Sequence, residues 1–299
     1  MITRKKFESS ASNNRKRCNI LGDFVSLEVL KSPHVVHMKS PHLTNVIYGT
    51  VNVGVIPMLV PHIKHGFSWG KGSKNMSYRY GEKDSVAQAE EEFFGHGLFS
   101  RKNGTAAMSP EHGTKIVEVS CKDQPLQDIP CDCLITKEKH LTLTVKPADC
   151  SIVIITTPRE HPHRFVALVH AGRKGVDQNL AEKTIKYIAS RMSVSANELL
   201  IGIAPSITKK NYFIKHQDEL ENLDVWKGFI EERDSLFYLD MMGIIRRQFV
   251  EAGVLESNIT QYHIDTFDAA KNGEAFSHRY WKMNKEGSDG RFMVAVELT

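Results

Sequence analysis

The sequence has none of the short signatures that mark the commonest nucleotide-binding and hydrolytic enzymes. A G-x-x-x-x-G-K-S/T phosphate loop, a G-x-S-x-G nucleophile elbow, an H-E-x-x-H zinc helix and a G-x-G-x-x-G strand-to-helix turn are all absent. Gly70-Lys71-Gly72-Ser73-Lys74-Asn75 is a weak echo of a glycine loop and reads as an ordinary connection. Cysteine is scarce: Cys18, Cys121, Cys131, Cys133 and Cys150 are the five in 299 residues. They are too few and too irregular for a disulfide framework, which points to reduced thiols. Long apolar runs are missing as well. The most apolar stretch, residues 51–60, is broken by Gly54 and Pro57 and falls short of the roughly 18 apolar residues of a spanning helix, so no membrane span is expected. The amino-terminal segment lacks the apolar core of a secretory signal and the amphipathic period of a transit peptide, so a cytoplasmic location is expected.

What is present is the composition of a folded domain, 41% hydrophobic and 25% charged, in a chain long enough for one large or two small domains. The net charge of +4 is unevenly placed: Arg4, Lys5, Lys6, Arg15, Lys16 and Arg17 face only Glu8 in the first 17 residues, a local +5, which leaves the rest near −1. A basic head on a neutral body argues against a nucleic-acid-binding fold. Residues 1–20, rich in Ser, Asn, Lys and Arg, read as a disordered basic tail, and residues 21–299 as one domain, since no repeat or Pro-rich linker divides them.

The body carries strand-like runs at Val46–Tyr48 and Val51–Val55, a glycine-rich loop over Gly66–Asn75, and a helix over Asp84–Phe94. Lys115–Ser120, Leu141–Val145, Ser151–Thr156 and Arg164–His170 are four β-branched runs without an intervening helix. A helix over Asn179–Arg191 follows, then a strand at Leu199–Ala204, a helix at Leu239–Ala252, and strands at Ile259–Ile264 and Phe292–Val296. Hairpin-type strands beside strand-helix-strand crossovers predict an α/β (α+β) single-domain layered sandwich with a mixed β-sheet covered by helices.

Chemistry-bearing side chains gather at strand boundaries. His112 precedes the first regular run, Cys150 lies between two, and His170 closes the next. If those strands are neighbours, their ends can share one rim and one metal, although the spacings are far too long for a local finger. The rival cluster, Cys131 and Cys133 with Cys121, has no second C-x-x-C pair and no nearby histidine, and His161-Pro162-His163 reads as a turn.

Taken together the motifs form a recognisable series: Asp132-Cys-Leu-Ile-Thr136, Pro147-Ala-Asp-Cys150 and Val169-His-Ala-Gly-Arg-Lys-Gly175, preceded by His112-Gly113. Ala204-Pro-Ser-Ile207 with Tyr212, Tyr238-Leu-Asp240 with Gly253-Val254, Phe276-Ser277-His278-Arg279 and Gly290-Arg291 follow in order. The series resembles the laccase-domain or purine nucleoside phosphorylase family, once called multicopper polyphenol oxidoreductases, over roughly residues 60–298. The resemblance implies a zinc, in preference to copper, held by His112, Cys150 and His170. It implies phosphorolysis of adenosine, inosine, guanosine and methylthioadenosine, and adenosine deamination, with purine nucleosides and phosphate as partners. On that reading His112, Cys150, His170 and Asp149 carry the chemistry, while Asp132, Lys174, Arg279 and Arg291 bind substrate. The sequence departs from the pattern at Arg173, where the family has Trp, at Ala204 for Gly, and at Asp265-Thr266 for Cys-Thr. The amino-terminal motif is poorly kept around Phe67–Asn75. A Cys150/His170 hydrolase or peptidoglycan-editing amidase, a copper polyphenol oxidase and a non-catalytic binding protein are the alternatives. The oxidase reading meets a chain with a single H-x-H pair.

Overall fold

A computed structural model of the chain describes residues 38–299, apart from 41–42, 49–50, 96 and 124. The expected tail over residues 1–20, and the domain start at 21, lie outside the described residues. In chain order the strands are β1 (Met38–Ser40), β2 (Leu43–Tyr48), β3 (Val51–Val55), β4 (Lys64–Ser68), β5 (Thr105–Ser109), β6 (Ile116–Glu118), β7 (Ile129–Pro130), β8 (Cys133–Thr136) and β9 (Thr142–Val145). They continue as β10 (Ser151–Thr156), β11 (Val166–Ala171), β12 (Leu200–Ile203), β13 (Phe213–Ile214), β14 (Ile230–Arg233), β15 (Leu236–Leu239), β16 (Ile259–Gln261) and β17 (Val294–Glu297). The helices are α1 (Lys83–Gly95), α2 (Arg173–Asp177), α3 (Leu180–Met192), α4 (Met241–Glu251), α5 (Thr266–Lys271) and α6 (His278–Asn284). None of the described helices is long and apolar enough to cross a membrane.

Two mixed sheets are stacked face to face. One runs β1-β2-β3-β4-β17-β9-β5-β7 and the other β16-β12-β10-β11-β8-β6, with a small third sheet β13-β15-β14 at the side. Alternation along each strand shows the layering. Ile152, Ile154, Val166, Leu168 and Leu134 meet Leu143, Val145, Phe67, Val294 and Val296 in the core between the sheets. Their sequence neighbours Val153, Ile155, Ala167, Val169 and Ile135 turn the other way, onto Ile185 and Ile188 of α3 and Ile244, Ile245 and Phe249 of α4. On the far side, Phe93 and Phe94 of α1 cover Val53, Val55 and Ala295. The result is the expected helix-covered sandwich. Because β10 and β11 are covered on both faces, they read as unbroken apolar runs rather than alternating ones. Each such Ile or Val contributes about 1.5–3 kcal/mol by burial.

Two expectations about local structure change. Leu141–Val145 and Lys115–Ser120 do not belong to one sheet: β9 pairs with β17 and β5, whereas β6 pairs with β8. Gly66–Ser68, expected as loop, is the end of β4. Gly66 is there for clearance, since a Cβ would lie 2.5 Å from Val53 Cγ1. The glycine signal for a turn is here a signal for close approach of two strands.

Candidate metal centre and nucleoside site

Strand register builds the centre. In the antiparallel pair β10–β11, Ser151 lies opposite Ala171 and Ile152 opposite His170, so Cys150 arrives beside Gly172. In β11–β8, Val169 lies opposite Cys133, and the next pair along is His170 with Asp132, whose carbonyl accepts the His170 N–H at 2.8 Å. Residues 112–113 close over this row. The backbone N–H groups of His112 and Gly113 donate to Asp132 Oδ1 (2.9 Å) and Oδ2 (2.7 Å), and His112 takes a left-handed φ of 61° to allow it. The sharp turn in Glu111-His112-Gly113 therefore depends on one fully buried carboxylate.

The three side chains converge, with one ligand-capable atom from each of His112, Cys150 and His170 within 4.8 Å of the others. His112 is exposed, Cys150 half-buried and His170 buried, so the cluster opens to solvent on the His112 side. The two imidazoles meet edge to face at 4.9 Å between ring centroids. His170 Nδ1 lies 3.0 Å from Asp132 Oδ1, which leaves Nε2 for the cluster. This carboxylate–imidazole arrangement is the usual support of a metal-binding histidine. Gly172 lines the cluster: a Cβ there would lie 3.1 Å from His112 Cδ2, 3.3 Å from His170 Cε1 and 3.6 Å from Cys150 Sγ.

The electrostatics suit a thiolate. Burial pushes the Cys150 thiol up, but the His170 charge and the hydrogen bonds from both histidines outweigh it and bring it down to about 6. Burial pushes His170 down, and the Cys150 charge with the Asp132 hydrogen bond more than reverses this, to about 9. Two imidazoles and a thiolate are a donor set that zinc or copper accepts, and a three-ligand site leaves a position open. The residues present fit such an ion. The rival cysteine cluster does not form: Cys131 points into the core between the sheets and Cys133 into the core under α3 and α4. Burial raises both thiols, Cys131 to about 12.

Around the cluster lies a second set of groups. Asp149, next to Cys150, accepts Thr266 Oγ1 at 2.7 Å and the Arg279 N–H at 2.8 Å, and burial raises its carboxyl despite these bonds. Thr266 belongs to the departure Asp265-Thr266, and Asp265 caps α5 by accepting from the Phe267 and Asp268 N–H groups. The Arg279 guanidinium lies over the rings of Tyr212 (5.2 Å) and Phe213 (5.0 Å). Burial raises the Tyr212 phenol to about 12, while Arg173, Cys150, Arg279 and Asp149 all act on it, which puts it among the site's charges. Arg173 pairs with Glu219 at 3.3 Å. Lys174 is exposed in the first turn of α2. Arg291 is bound to Asp289 at 2.8 Å and stacked 4.3 Å over Tyr80. Asp289 also holds His278, beside Arg279. Gly172, Thr266 and the aromatic shelf under Arg279 were not among the predicted site residues. Thr266 and Tyr212 fall within quoted motifs, while nothing local in the sequence marks Gly172 as a contact of all three candidate ligands.

The chain belongs to the family described as multi-copper polyphenol oxidoreductase laccase, whose pattern matches residues 63–299. Among curated proteins it is similar to a purine nucleoside phosphorylase of Campylobacter jejuni, 29% identical over 209 residues, covering 70% of this chain and 83% of that one. It is also similar to the purine nucleoside phosphorylase of Rickettsia prowazekii, 25% identical over half of this chain and 62% of the relative. Solved structures share the fold: YlmD of Geobacillus stearothermophilus (TM-score 0.67, 20% identity, covering 89% of this chain and 99% of that one) and the hypothetical protein YfiH of Bacillus licheniformis (TM-score 0.66, 18%, 87% and 97%). Relatives that carry the phosphorylase name support an enzyme that processes purine nucleosides.

Proposed function

We propose that the chain is a zinc-dependent purine nucleoside phosphorylase, acting on adenosine, inosine, guanosine and S-methyl-5'-thioadenosine with inorganic phosphate, and that it also deaminates adenosine. The convergence of His112, Cys150 and His170 on one point, backed by the buried Asp132, carries this reading. Bound zinc supplies a Lewis acid of low net charge with an open coordination position. The chain's own residues do the remaining work. Asp132 fixes the His170 tautomer and the 112–113 turn. Tyr212 and Phe213 offer an aromatic surface for a planar base. Arg279, whose guanidinium stacks on those rings, is the cation best available to phosphate, with Lys174 at the rim. Arg291 contributes through its pair with Asp289, which steadies the segment carrying Arg279. Asp149, its carboxyl raised by burial, lies beside the cluster and positions the Arg279 backbone by accepting its N–H. A reduced cytoplasmic setting suits a free thiol ligand.

The test starts with protein purified without added metal. Near-stoichiometric zinc is expected, and Cys150→Ala should lose it while remaining folded. Adenosine or inosine with phosphate should yield free base and ribose 1-phosphate, and adenosine alone should yield inosine. Arg279→Ala should depress the phosphate-dependent reaction at least tenfold more than the deamination. Copper in place of zinc would favour oxidase chemistry. A metal-free protein that turns over amide substrates through Cys150 would favour the hydrolase reading.

A further inference from the structure

The end of the sandwich away from the metal centre carries a cavity of about 250 Å³, lined by Lys137, Pro162, His163, Arg164, Phe165, Arg191, Met192 and Ser193. Phe165 immediately precedes β11 and His170 lies near its other end, so the cavity and the cluster are separated by five residues of strand, roughly 16 Å. No carboxylate lines it, yet three permanent cations do. The Arg164 guanidinium is anchored rather than neutralised: its two terminal nitrogens donate to the carbonyls of Arg159 (2.9 Å) and His62 (2.6 Å), and its Nε is buried with no partner. Burial and the nearby Arg159 both disfavour its charge, against only Glu160 in support. Lys137 donates to the Arg191 carbonyl at 3.2 Å and pairs with Glu118 at 3.3 Å. The Arg191 side chain is exposed at the last turn of α3. Phe165 and Met192 supply buried apolar walls.

We propose that this cavity is a binding site for a small phosphorylated ligand, separate from the metal centre, in which Lys137, Arg164 and Arg191 surround the phosphoryl group. The three lining cations, with Arg159 beside them and only Glu118 and Glu160 opposed, leave a surplus of positive charge, which a dianion offsets. Two of the cations are already held in place by backbone carbonyls, so little side-chain freedom is lost on binding. The volume, below the about 300–1,000 Å³ of pockets for larger ligands, admits phosphate or a phosphomonoester with a few-carbon substituent and leaves a nucleotide base outside. The proposal does not depend on the function assigned to the metal centre.

Acetylation of Lys137 in the full chain, followed by mass spectrometry, reads this site alone. Inorganic phosphate or glycerol 3-phosphate at millimolar concentration should slow modification of Lys137 at least threefold relative to chloride of equal ionic strength, without slowing it at Lys83 on α1. Arg191→Glu should abolish that protection while leaving the thermal unfolding midpoint close to that of the parent. Stronger protection by glycerol 3-phosphate would assign a phosphomonoester as the ligand, and equal or weaker protection would assign free phosphate. Protection equal to that of chloride, or unchanged in Arg191→Glu, overturns the proposal.

Discussion

Gly172 is the residue on which the geometry of the cluster presses most closely. Its φ of −76° and ψ of 166° are open to any L-residue, so alanine there is limited by crowding and not by backbone strain. The added methyl would meet both imidazoles and the thiol at 3.1–3.6 Å. Gly172→Ala should therefore lower metal affinity about tenfold or more while the metal-free protein melts close to the parent, as metal titration and thermal unfolding will show. A second residue ties charge to stability. His65 is buried in β4, its Nε2 accepts the Ile56 N–H at 2.7 Å, and burial lowers it from 6.5 to about 4. The unfolded chain binds this proton more readily than the folded one, so the stability that His65 contributes above pH 6.5 is lost as pH falls towards 4, by up to about 3 kcal/mol. Urea unfolding near pH 7 and pH 4.5 should show a smaller acid-side loss in His65→Gln than in the parent. Equal losses would clear His65 of the effect.

At the scale of elements, Gly202 in β12 shows how tightly the layers close. A Cβ at this position would lie 2.6 Å from Leu59 Cδ1 and 2.8 Å from Ile56 Cδ1, where the short helical turn Pro57–Leu59 seats on the strand. Gly202→Val should cost roughly 1–3 kcal/mol or more by overpacking, measured as a lower denaturant midpoint, with the metal cluster unaffected. The strands and helices that the sequence announces are those with uniform local chemistry: Ser151–Thr156 is β10 to the residue, and Asn179–Arg191 lies within a residue of α3. Pairing partners are another matter. An apolar run covered on both faces carries no mark of which sheet it joins, so β9 and β6 read as strands of one mixed sheet although they lie in different layers. The cluster was legible because each candidate ligand sits at a strand boundary inside a motif. Its support was less so, since Thr266 reaches Asp149 across 117 residues and Gly172 contributes only by lacking a side chain.

At the scale of the whole molecule, the basic segment at residues 1–20 has too little apolar surface to add to a core, and we treat residues 21–299 as the working unit. A chain starting near residue 21 should keep its melting temperature within about 2 °C and its metal content, and a larger loss would mean that the segment packs on the body. The position of β17 has an effect during biosynthesis. Residues 294–297 lie between β4 and β9, hydrogen-bonded to both, with Val296 opposite His65 on one side and Leu143 on the other. Every other described strand leaves the ribosome before the one that joins β1–β4 to β9, β5 and β7. Until it emerges, two half-sheets wait with open apolar edges, which invite pairing with other nascent chains. A stop placed just upstream of Val294 should therefore leave the two half-sheets unjoined, to be read as a loss of soluble protein on expression, and soluble, cooperatively melting protein from such a chain would show that the half-sheets close without β17.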